Sequence, residues 1–212
     1  MLDGGDQPLR MRPGSAYRFE DGADAGSGDR LFEGPPPRNA YQQRGMNRFA
    51  KEVVAAEDAL EALAELTEID DSAALARDAA VTAVAAGHPE AAWKALESGR
   101  LARYADDVVH ALQRAAATSP EDAERVADAA VKVFGLQGGD PLVRLLAGYD
   151  DAQFQSGGAE ALVDGLRHAS LAHRTLALWN LRQLTGATFS FDPAGSVAER
   201  QRSLSIWQTK LR

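Results

Sequence analysis

The amino-acid sequence predicts an all-α protein in which about nine helices form a stack of antiparallel hairpins behind a mostly irregular N-terminal tail. First, 41 of the 212 residues are alanine, the residue with the highest intrinsic helix propensity. Second, apolar residues recur at steps of three and four from Asn47 onwards. Third, the segments between these periodic stretches are short, and short connections place consecutive helices antiparallel.

Residues 1–45 are predicted to be a disordered or extended tail. They contain 8 of the 19 glycines and 5 of the 9 prolines, and they show no helical apolar period. Two short alternating runs around a turn predict a possible β hairpin at residues 7–20, although an isolated hairpin is only marginally stable in water. Residues 21–30 have the composition of a flexible linker.

The helical domain is predicted over residues 46–212, and its first helix runs from Asn47 to about Thr67. Asn47 is a suitable N-cap for this helix. The spacing of its apolar residues is compatible either with pairing to a second copy or with docking on the other helices. Docking is favoured because alanines make a weak coiled-coil seam. The apolar stripe consists of Phe49, Val53, Ala56, Leu60, Leu63 and Leu66.

Three prolines predict the starts of later helices. Pro89, Pro120 and Pro141 each follow a break and precede a run of helix-forming residues. Proline is tolerated in the first turn because its missing N–H has no intrahelical partner to lose, and Ser119 and Asp140 are the expected caps. The predicted helices lie at about 72–86, 89–98, 101–117, 120–134, 141–154, 158–168, 171–185 and 197–211.

The last two helices have the clearest boundary signals. Gly186 follows a helical segment in the way a left-handed C-terminal cap does. Ser196 and Glu199 have the spacing of a capping box, in which each side chain binds a backbone amide near the other. Between these signals, Phe189 and Phe191 are expected to insert into the core and to fix how the last helix returns.

The residue types present exclude several chemistries. The chain contains no cysteine, which excludes disulfides, thiol nucleophiles and cysteine–zinc sites. No glycine-rich loop has the ending of a phosphate-binding loop, and no motif places a serine beside a histidine and an acid. No apolar run approaches the roughly 20 residues of a membrane-spanning helix. We therefore expect no enzyme, no cofactor and no membrane insertion for this chain.

Two groups of histidines and carboxylates have spacings that are compatible with metal binding. Asp106, Asp107 and His110 share one helix face, but no further ligand is close in sequence, so a solvated face is the favoured interpretation. His168 and His173 flank a turn and can approach each other, and a helix cap between them already accounts for the local pattern. We therefore predict no metal site in either group.

Two further groups invite a ligand-binding interpretation. Acidic residues among the tail glycines lack the alternating positions and the final glutamate of a calcium loop. The tryptophans are compatible with a stacking platform, but their apolar helical surroundings favour core packing. The acidic group is Asp21, Asp24 and Asp29, and the tryptophans are Trp93, Trp179 and Trp207.

Charge is distributed unevenly along the chain. Residues 46–166 contain 22 acidic and 10 basic residues, a net charge of −12, whereas residues 167–212 contain 2 and 7, a net charge of +5. The basic C-terminal end is either a surface for an acidic partner or a set of side chains whose aliphatic stems cover the core. The residues predicted to bind a protein partner are Arg167, Arg174, Arg182, Arg200 and Arg202.

The stretch from Gly165 to Leu181 resembles a HEAT-type hairpin, in which one helix ends, a tight turn follows and a second helix opens. The continuation through Phe191-Asp192-Pro193 to Ile206-Trp207 is similar to the end cap of HEAT-like helical domains appended to bacterial envelope proteins. This resemblance implies a HEAT-like α-solenoid over residues 70–212. The proline starts lie 31 and 21 residues apart, which departs from a regular repeat.

Residues 8–19 resemble the last hairpin of a FecR-type β domain, a sensor domain found outside the membrane in some bacterial signalling systems. This resemblance implies that the chain is the C-terminal part of a longer envelope signalling protein and that it is extracytoplasmic. Without the resemblance, a cytoplasmic location is expected.

The function predicted from the sequence is a non-catalytic helical protein-interaction or scaffold module with an unidentified protein partner. The alternative is a HEAT-like nucleic-acid-binding or base-repair protein. A net charge of −8 and a pI of about 5.0 disfavour nucleic-acid binding, because lysine and arginine contacts dominate affinity for phosphate. A HEAT-like lyase is disfavoured because no acid–base residues are indicated. The sequence does not indicate an oligomeric state.

Overall fold

The computed structural model describes residues 40–68 and 72–211, with side chains from Asn47 onwards. Helices and their connections account for all of these residues, and no strand occurs among them, so the predicted all-α class is confirmed. The predicted hairpin at 7–20 and the linker at 21–30 lie outside the described residues. The chain divides into two units, Met1–Arg44 and Gly45–Arg212, and the packing below belongs to the second.

The helices follow the predicted order with several changes in their bounds. A 3₁₀ turn at Ala102–Tyr104 precedes α5, and a π turn at Phe154–Gly158 with a kink at Gly157 joins α8 to α9. The helices are α1 (Ala40–Ala55), α2 (Ala59–Glu68), α3 (Ala73–Ala85), α4 (Glu90–Ser98), α5 (Ala105–Ala116), α6 (Pro120–Phe134), α7 (Leu136–Ala147), α8 (Asp151–Gln153), α9 (Ala159–Gly165), α10 (Leu171–Thr185) and α11 (Val197–Lys210).

The first predicted helix is two helices in the structure. The carboxylate of Asp58 accepts hydrogen bonds from the backbone N–H groups of Leu60 and Glu61, at 2.8 and 3.2 Å. This side-chain cap starts α2 and competes with continuation of α1. The predicted N-cap at Asn47 is wrong, because α1 begins at Ala40 and passes through that residue. Helix α2 packs against α3, as expected for docking on the other helices.

The predicted helix start at Pro141 is also wrong. Helix α7 begins at Leu136, directly after Gly135, whose φ of 72° lies in the left-handed region and ends α6. The glycine before Pro141 serves packing, since a Cβ at Gly139 would lie 2.6 Å from the backbone nitrogen of Val131 in α6. A glycine that allows two helices to approach closely therefore resembled a helix breaker in the sequence.

Two further predictions for α7 are wrong, because this helix ends at Ala147 rather than at 154 and Asp140 lies inside the helix instead of capping it.

The boundary signals of α6, α10 and α11 agree with the structure. Ser119 caps α6, and Gly186 ends α10 with a φ of 68°. Ser196 and Glu199 form the predicted capping box of α11. Phe191 is buried between the last two helices, and the ring of its neighbour Phe189 packs edge-on against Trp207 at 4.6 Å between ring centroids.

Helix α4 lies at the centre of the core. It packs against α2, α3, α5, α6 and α10, which links helices that are far apart in sequence. Its Trp93 is fully buried, and the indole Nε1 donates a hydrogen bond of 3.0 Å to the backbone carbonyl of Val126 in α6. Within residues 40–68 and 72–211, no helix combines the length and the apolar character needed to cross a membrane.

Candidate functional site

A surface groove forms where the ends of three helices meet. The last turns of α3 and α5 and the first two turns of α6 enclose a cavity of about 470 Å³. This volume lies in the range of about 300–1,000 Å³ that is typical of ligand-binding clefts. We call this cavity, together with the residues that line it, the α3–α5–α6 groove.

The floor of the groove is apolar. Three of its residues are buried from solvent by packing against the core, namely Val84 of α3, Ala111 of α5 and Val126 of α6. Val81 and Ala115 line the same surface and are partly buried. Small and β-branched side chains from three helices therefore present an apolar surface at the base of an open cleft, and an apolar side chain placed there would lose contact with water.

The rim of the groove carries charged and polar side chains. Ser119 caps α6 and donates a hydrogen bond to the carboxylate of Asp122 at 3.0 Å, and the same carboxylate pairs with Arg125. Thr118 donates its hydroxyl proton to the carbonyl of Arg114 at 2.9 Å and so closes the last turn of α5. Arg114 is exposed, and its side chain has no ion-pair partner among the described residues.

The C-terminal end of α3 contributes backbone acceptors to the rim. Ala85 and Ala86 line the groove, and within the described part of the chain their carbonyls accept no hydrogen bond. In a continuing helix the N–H of residue 89 would donate to the carbonyl of Ala85. Residue 89 is a proline, which has no N–H to donate. A Cβ at Gly87 would lie 3.6 Å from an Nη atom of Arg125, so this cation is close to the carbonyl end of α3.

These features define what the groove can bind. The floor accepts apolar side chains, Arg114 accepts an anion, and the free carbonyls of α3 accept N–H donors. The carboxylate of Asp122 is already paired, and an arginine guanidinium does not exchange protons near neutral pH. The groove therefore offers a ligand an apolar surface, a cation and hydrogen-bond acceptors.

Arg174, one of the residues predicted to bind a partner, is buried inside the protein, with 7% of its surface exposed. Its guanidinium donates to the carbonyls of His168 and Ala169 at 2.7 and 2.6 Å, and to that of Pro193 at 2.8 Å. Burial, together with the charge of Arg200, lowers the pKa of Arg174. This cation fixes the turn before α10 to the loop after it.

The other four predicted arginines lie on the surface and also have intramolecular contacts. Arg182 binds Asp106 with two hydrogen bonds, of 3.0 and 2.8 Å, and Arg167 pairs with Asp164 at 2.6 Å. Arg200 donates to the carbonyl of Gly195 at 3.0 Å, and Arg202 to that of Ala198 at 3.4 Å. Partner binding at the basic end stays a prediction, and it would have to compete with these contacts.

The acidic pair on α5 is divided between two neighbouring helices. Asp106 is held by Arg182 of α10, and Asp107 accepts a hydrogen bond of 2.9 Å from Arg77 of α3. The ring of His110 lies edge-on to Trp179, with 5.9 Å between ring centroids. Asp106, Asp107 and His110, whose spacing in the sequence is compatible with metal binding, therefore connect α5 to its neighbouring helices. Among the described residues, no group of three or more potential ligands is placed to hold a metal ion.

The two histidines at the turn before α10 do meet. The rings of His168 and His173 stack at 4.0 Å between centroids. Burial and the neighbouring ring of His168 lower the pKa of His173 to about 4. Next to them, Glu97 of α4 accepts hydrogen bonds from the hydroxyl of Ser170 and the amide of Ala172, at 2.7 and 2.9 Å. The cluster anchors the start of α10.

The three tryptophans belong to the core, as the sequence predicts. Trp93 and Trp207 are fully buried, and Trp179 is 9% exposed. Trp93 also packs edge-on against Phe134 at 6.3 Å between ring centroids. None of these rings lines the α3–α5–α6 groove. They support the surrounding helices rather than forming a platform for a ligand.

Comparison of the chain with protein-family models, curated proteins and solved structures finds no match. Sequence reasoning missed Arg114 and Arg125 as members of a site. The prolines at 89 and 120 marked two of the helix ends, but no local pattern shows that these ends meet.

Proposed function

We propose that the helical unit is a non-catalytic protein-interaction module and that its partner docks in the α3–α5–α6 groove. The observation that carries this proposal is an open cleft of about 470 Å³ whose base is built of apolar side chains from three helices and whose rim carries polar groups. An apolar side chain of a partner that enters the cleft gains about 25 cal/mol per Å² of its own surface that is removed from water.

Two features support binding over catalysis. The acid of the groove, Asp122, is paired with Arg125 and accepts a hydrogen bond from Ser119, and among the described residues no other carboxylate and no histidine lines the groove. The remaining cation, Arg114, does not titrate near neutral pH. A groove with these groups can select a ligand by shape and charge, but it offers no proton-transfer pair to act on that ligand.

The biological setting is part of the same proposal. On the resemblance of residues 8–19 to a FecR-type hairpin and of the C-terminal helices to HEAT-like domains, the chain belongs to an envelope signalling protein. The helical unit then presents the groove to another protein of that compartment. Sequencing the gene upstream of Met1 tests this setting, because a FecR-type protein requires β strands and a membrane helix there.

A display library of random peptides, selected on the full 212-residue chain, tests the docking function. The counter-selection uses Ala85→Trp, which places an indole at the exposed rim of the groove. The control is Ala161→Trp, which alters an exposed alanine of α9 that does not line the groove. We expect enriched peptides that bind the native chain and the control but lose at least about tenfold in affinity for Ala85→Trp.

Two results would contradict the docking function. One is a failure to enrich any peptide over repeated rounds. The other is a set of enriched peptides that bind Ala85→Trp as well as they bind the native chain. A parallel titration with duplex DNA at low salt tests the nucleic-acid alternative, for which micromolar affinity with a steep salt dependence is the signature.

A further inference from the structure

We propose that the groove selects an acidic, apolar peptide segment bound in an extended conformation, with a carboxylate of the segment on Arg114. This inference rests on the proposed docking function and names the chemistry of the partner. Three features of the groove support it: an unpaired guanidinium, an apolar floor and free backbone acceptors.

The first feature is the state of Arg114. Most other arginines of the described residues have a partner: Arg77, Arg125 and Arg182 bind carboxylates, and Arg174 binds backbone carbonyls. Arg114 is exposed, and no carboxylate of the described residues pairs with it, although residues 46–166 carry 22 acidic side chains. A guanidinium binds a carboxylate through two parallel hydrogen bonds, so an acidic side chain of a partner complements this position.

The second feature is how closely the cation and the floor are placed. The groove lining on this side consists of Ala111, Ala115 and Thr118. Ala111 lies three residues before Arg114, Ala115 lies one residue after it, and Thr118 lies four residues after it. The helical period therefore puts the base of the Arg114 side chain on the edge of the groove. In an extended chain, side chains two residues apart point to the same face and lie about 7 Å from each other. A peptide whose apolar side chain covers the floor can therefore place the side chain two positions along on the guanidinium of Arg114.

The third feature is the set of unpaired carbonyls at Ala85 and Ala86. An extended peptide offers backbone N–H donors along its length, whereas a helix has free N–H groups only in its first turn. The α3 end of the groove therefore favours an extended segment. A small apolar carboxylate can cover the floor and bind Arg114, but it has no N–H donors for the carbonyls of Ala85 and Ala86. A peptide offers all three kinds of contact and is therefore the occupant that fits best.

The test uses three synthetic libraries of capped nine-residue peptides that share degenerate leucine, valine and phenylalanine positions. Their remaining positions are aspartate and glutamate, lysine and arginine, or glutamine and serine. Binding to the full chain is measured by fluorescence anisotropy. The variants are Arg114→Ala, Arg114→Glu and the control Arg144→Ala, which removes an exposed arginine of α7 that does not line the groove.

We expect the acidic library to bind most tightly, and Arg114→Ala to weaken it about fivefold, as for an exposed ion pair. Arg114→Glu is expected to transfer the preference to the basic library, and Arg144→Ala to leave all three affinities unchanged. Salt at about 1 M, where the screening length is ~3 Å, should remove most of the advantage of the acidic library. Circular dichroism melts of each variant show that the fold is retained.

Several results would overturn the inference. Equal binding of the acidic and neutral libraries, or equal losses in Arg114→Ala and Arg144→Ala, contradicts recognition by Arg114. Octanoate binding that depends on Arg114, without binding of the acidic peptides, assigns the groove to a small carboxylate instead. If Ala85→Trp weakens binding of the neutral library alone, the groove is still a docking site but the preference for acidic peptides is refuted. If Ala85→Trp weakens binding of none of the libraries, both the docking function and the charge preference are refuted.

Discussion

Trp93 and Val126 connect the centre of the core to the floor of the groove. The indole Nε1 of Trp93, in the buried helix α4, donates a hydrogen bond of 3.0 Å to the carbonyl of Val126 in α6. Val126 also lines the groove. The position of the groove floor is therefore set by a contact between helices that start at residues 90 and 120.

The contribution of this hydrogen bond to the free energy of unfolding can be measured by comparison with a second tryptophan. Trp207 is also fully buried, but its indole nitrogen has no hydrogen-bond partner among residues 40–68 and 72–211. Trp93→Phe and Trp207→Phe remove the same atoms, and only Trp93→Phe leaves a carbonyl without its donor. We expect Trp93→Phe to lower the free energy of unfolding by about 1–2 kcal/mol more than Trp207→Phe does. Urea denaturation measures both, and equal losses would argue against this hydrogen bond.

Arg174 is predicted to stabilise the fold rather than to bind a partner. Arg174→Met keeps most of the aliphatic volume but leaves three backbone carbonyls without their donor. We expect a loss of about 2–4 kcal/mol in the free energy of unfolding. Arg202→Met, at an exposed site with one long contact to Ala198, is the matched control and should change it by less than about 0.5 kcal/mol. Similar effects of the two substitutions would refute the structural role.

The Arg174 result shows what the sequence could not reveal. The net charge of +5 over residues 167–212 suggested a surface for an acidic partner. In the structure, much of this charge is used internally, because Arg174 reaches carbonyls of the preceding turn and of the loop that follows α10. Contacts between residues up to 19 positions apart depend on how that loop returns, and the helical period does not specify it.

Local signals were predicted well because they act over a few residues. The capping box of Ser196 and Glu199 and the cap at Ser119 involve partners three residues away, so the sequence contains both members. Pro141 was misassigned because the start of α7 depends on Gly135 and on the approach of Gly139 to another helix. The groove depends on three helix ends that meet only in the packed structure, and for that reason no sequence pattern pointed to it.

The close approach of α6 and α7 gives a further prediction. A Cβ at position 139 would lie 2.6 and 2.7 Å from backbone atoms of Val131, so Gly139→Ala forces the two helices apart. We expect a loss of about 2–4 kcal/mol in the free energy of unfolding. The control is Gly138→Ala, whose Cβ would meet the Cβ of Phe134 at 3.0 Å, a contact that a small shift can relieve. Equal stability of the two variants would contradict the tight packing of this hairpin.

The stacked histidines predict how stability depends on pH. His173 stays neutral in the folded protein down to a pKa of about 4, whereas the unfolded chain binds this proton near pH 6.5. The unfolded state therefore binds more protons between these values, and the free energy of unfolding falls as the pH is lowered from 6.5 to 4. Because the ring is partly exposed, we expect a loss of about 2 kcal/mol rather than the full value.

His173→Gln removes this titration and is the variant that checks the prediction. Urea denaturation at pH 7 and at several values down to pH 4.5 should give a shallower pH dependence for His173→Gln than for the native chain. The carboxylates contribute equally to both proteins, so the difference between the two curves isolates His173. Parallel curves would show that the stacked ring does not titrate as inferred.

On the docking proposal, the partner of this protein binds in the α3–α5–α6 groove. Hydrogen–deuterium exchange of the full chain, with and without a peptide selected for binding, shows which helices the peptide covers. We predict slower exchange at the ends of α3 and α5 and in the first turns of α6, with no change in α11. Protection confined to α11 and the preceding loop would instead locate binding at the basic C-terminal end and rule out the groove as the binding site.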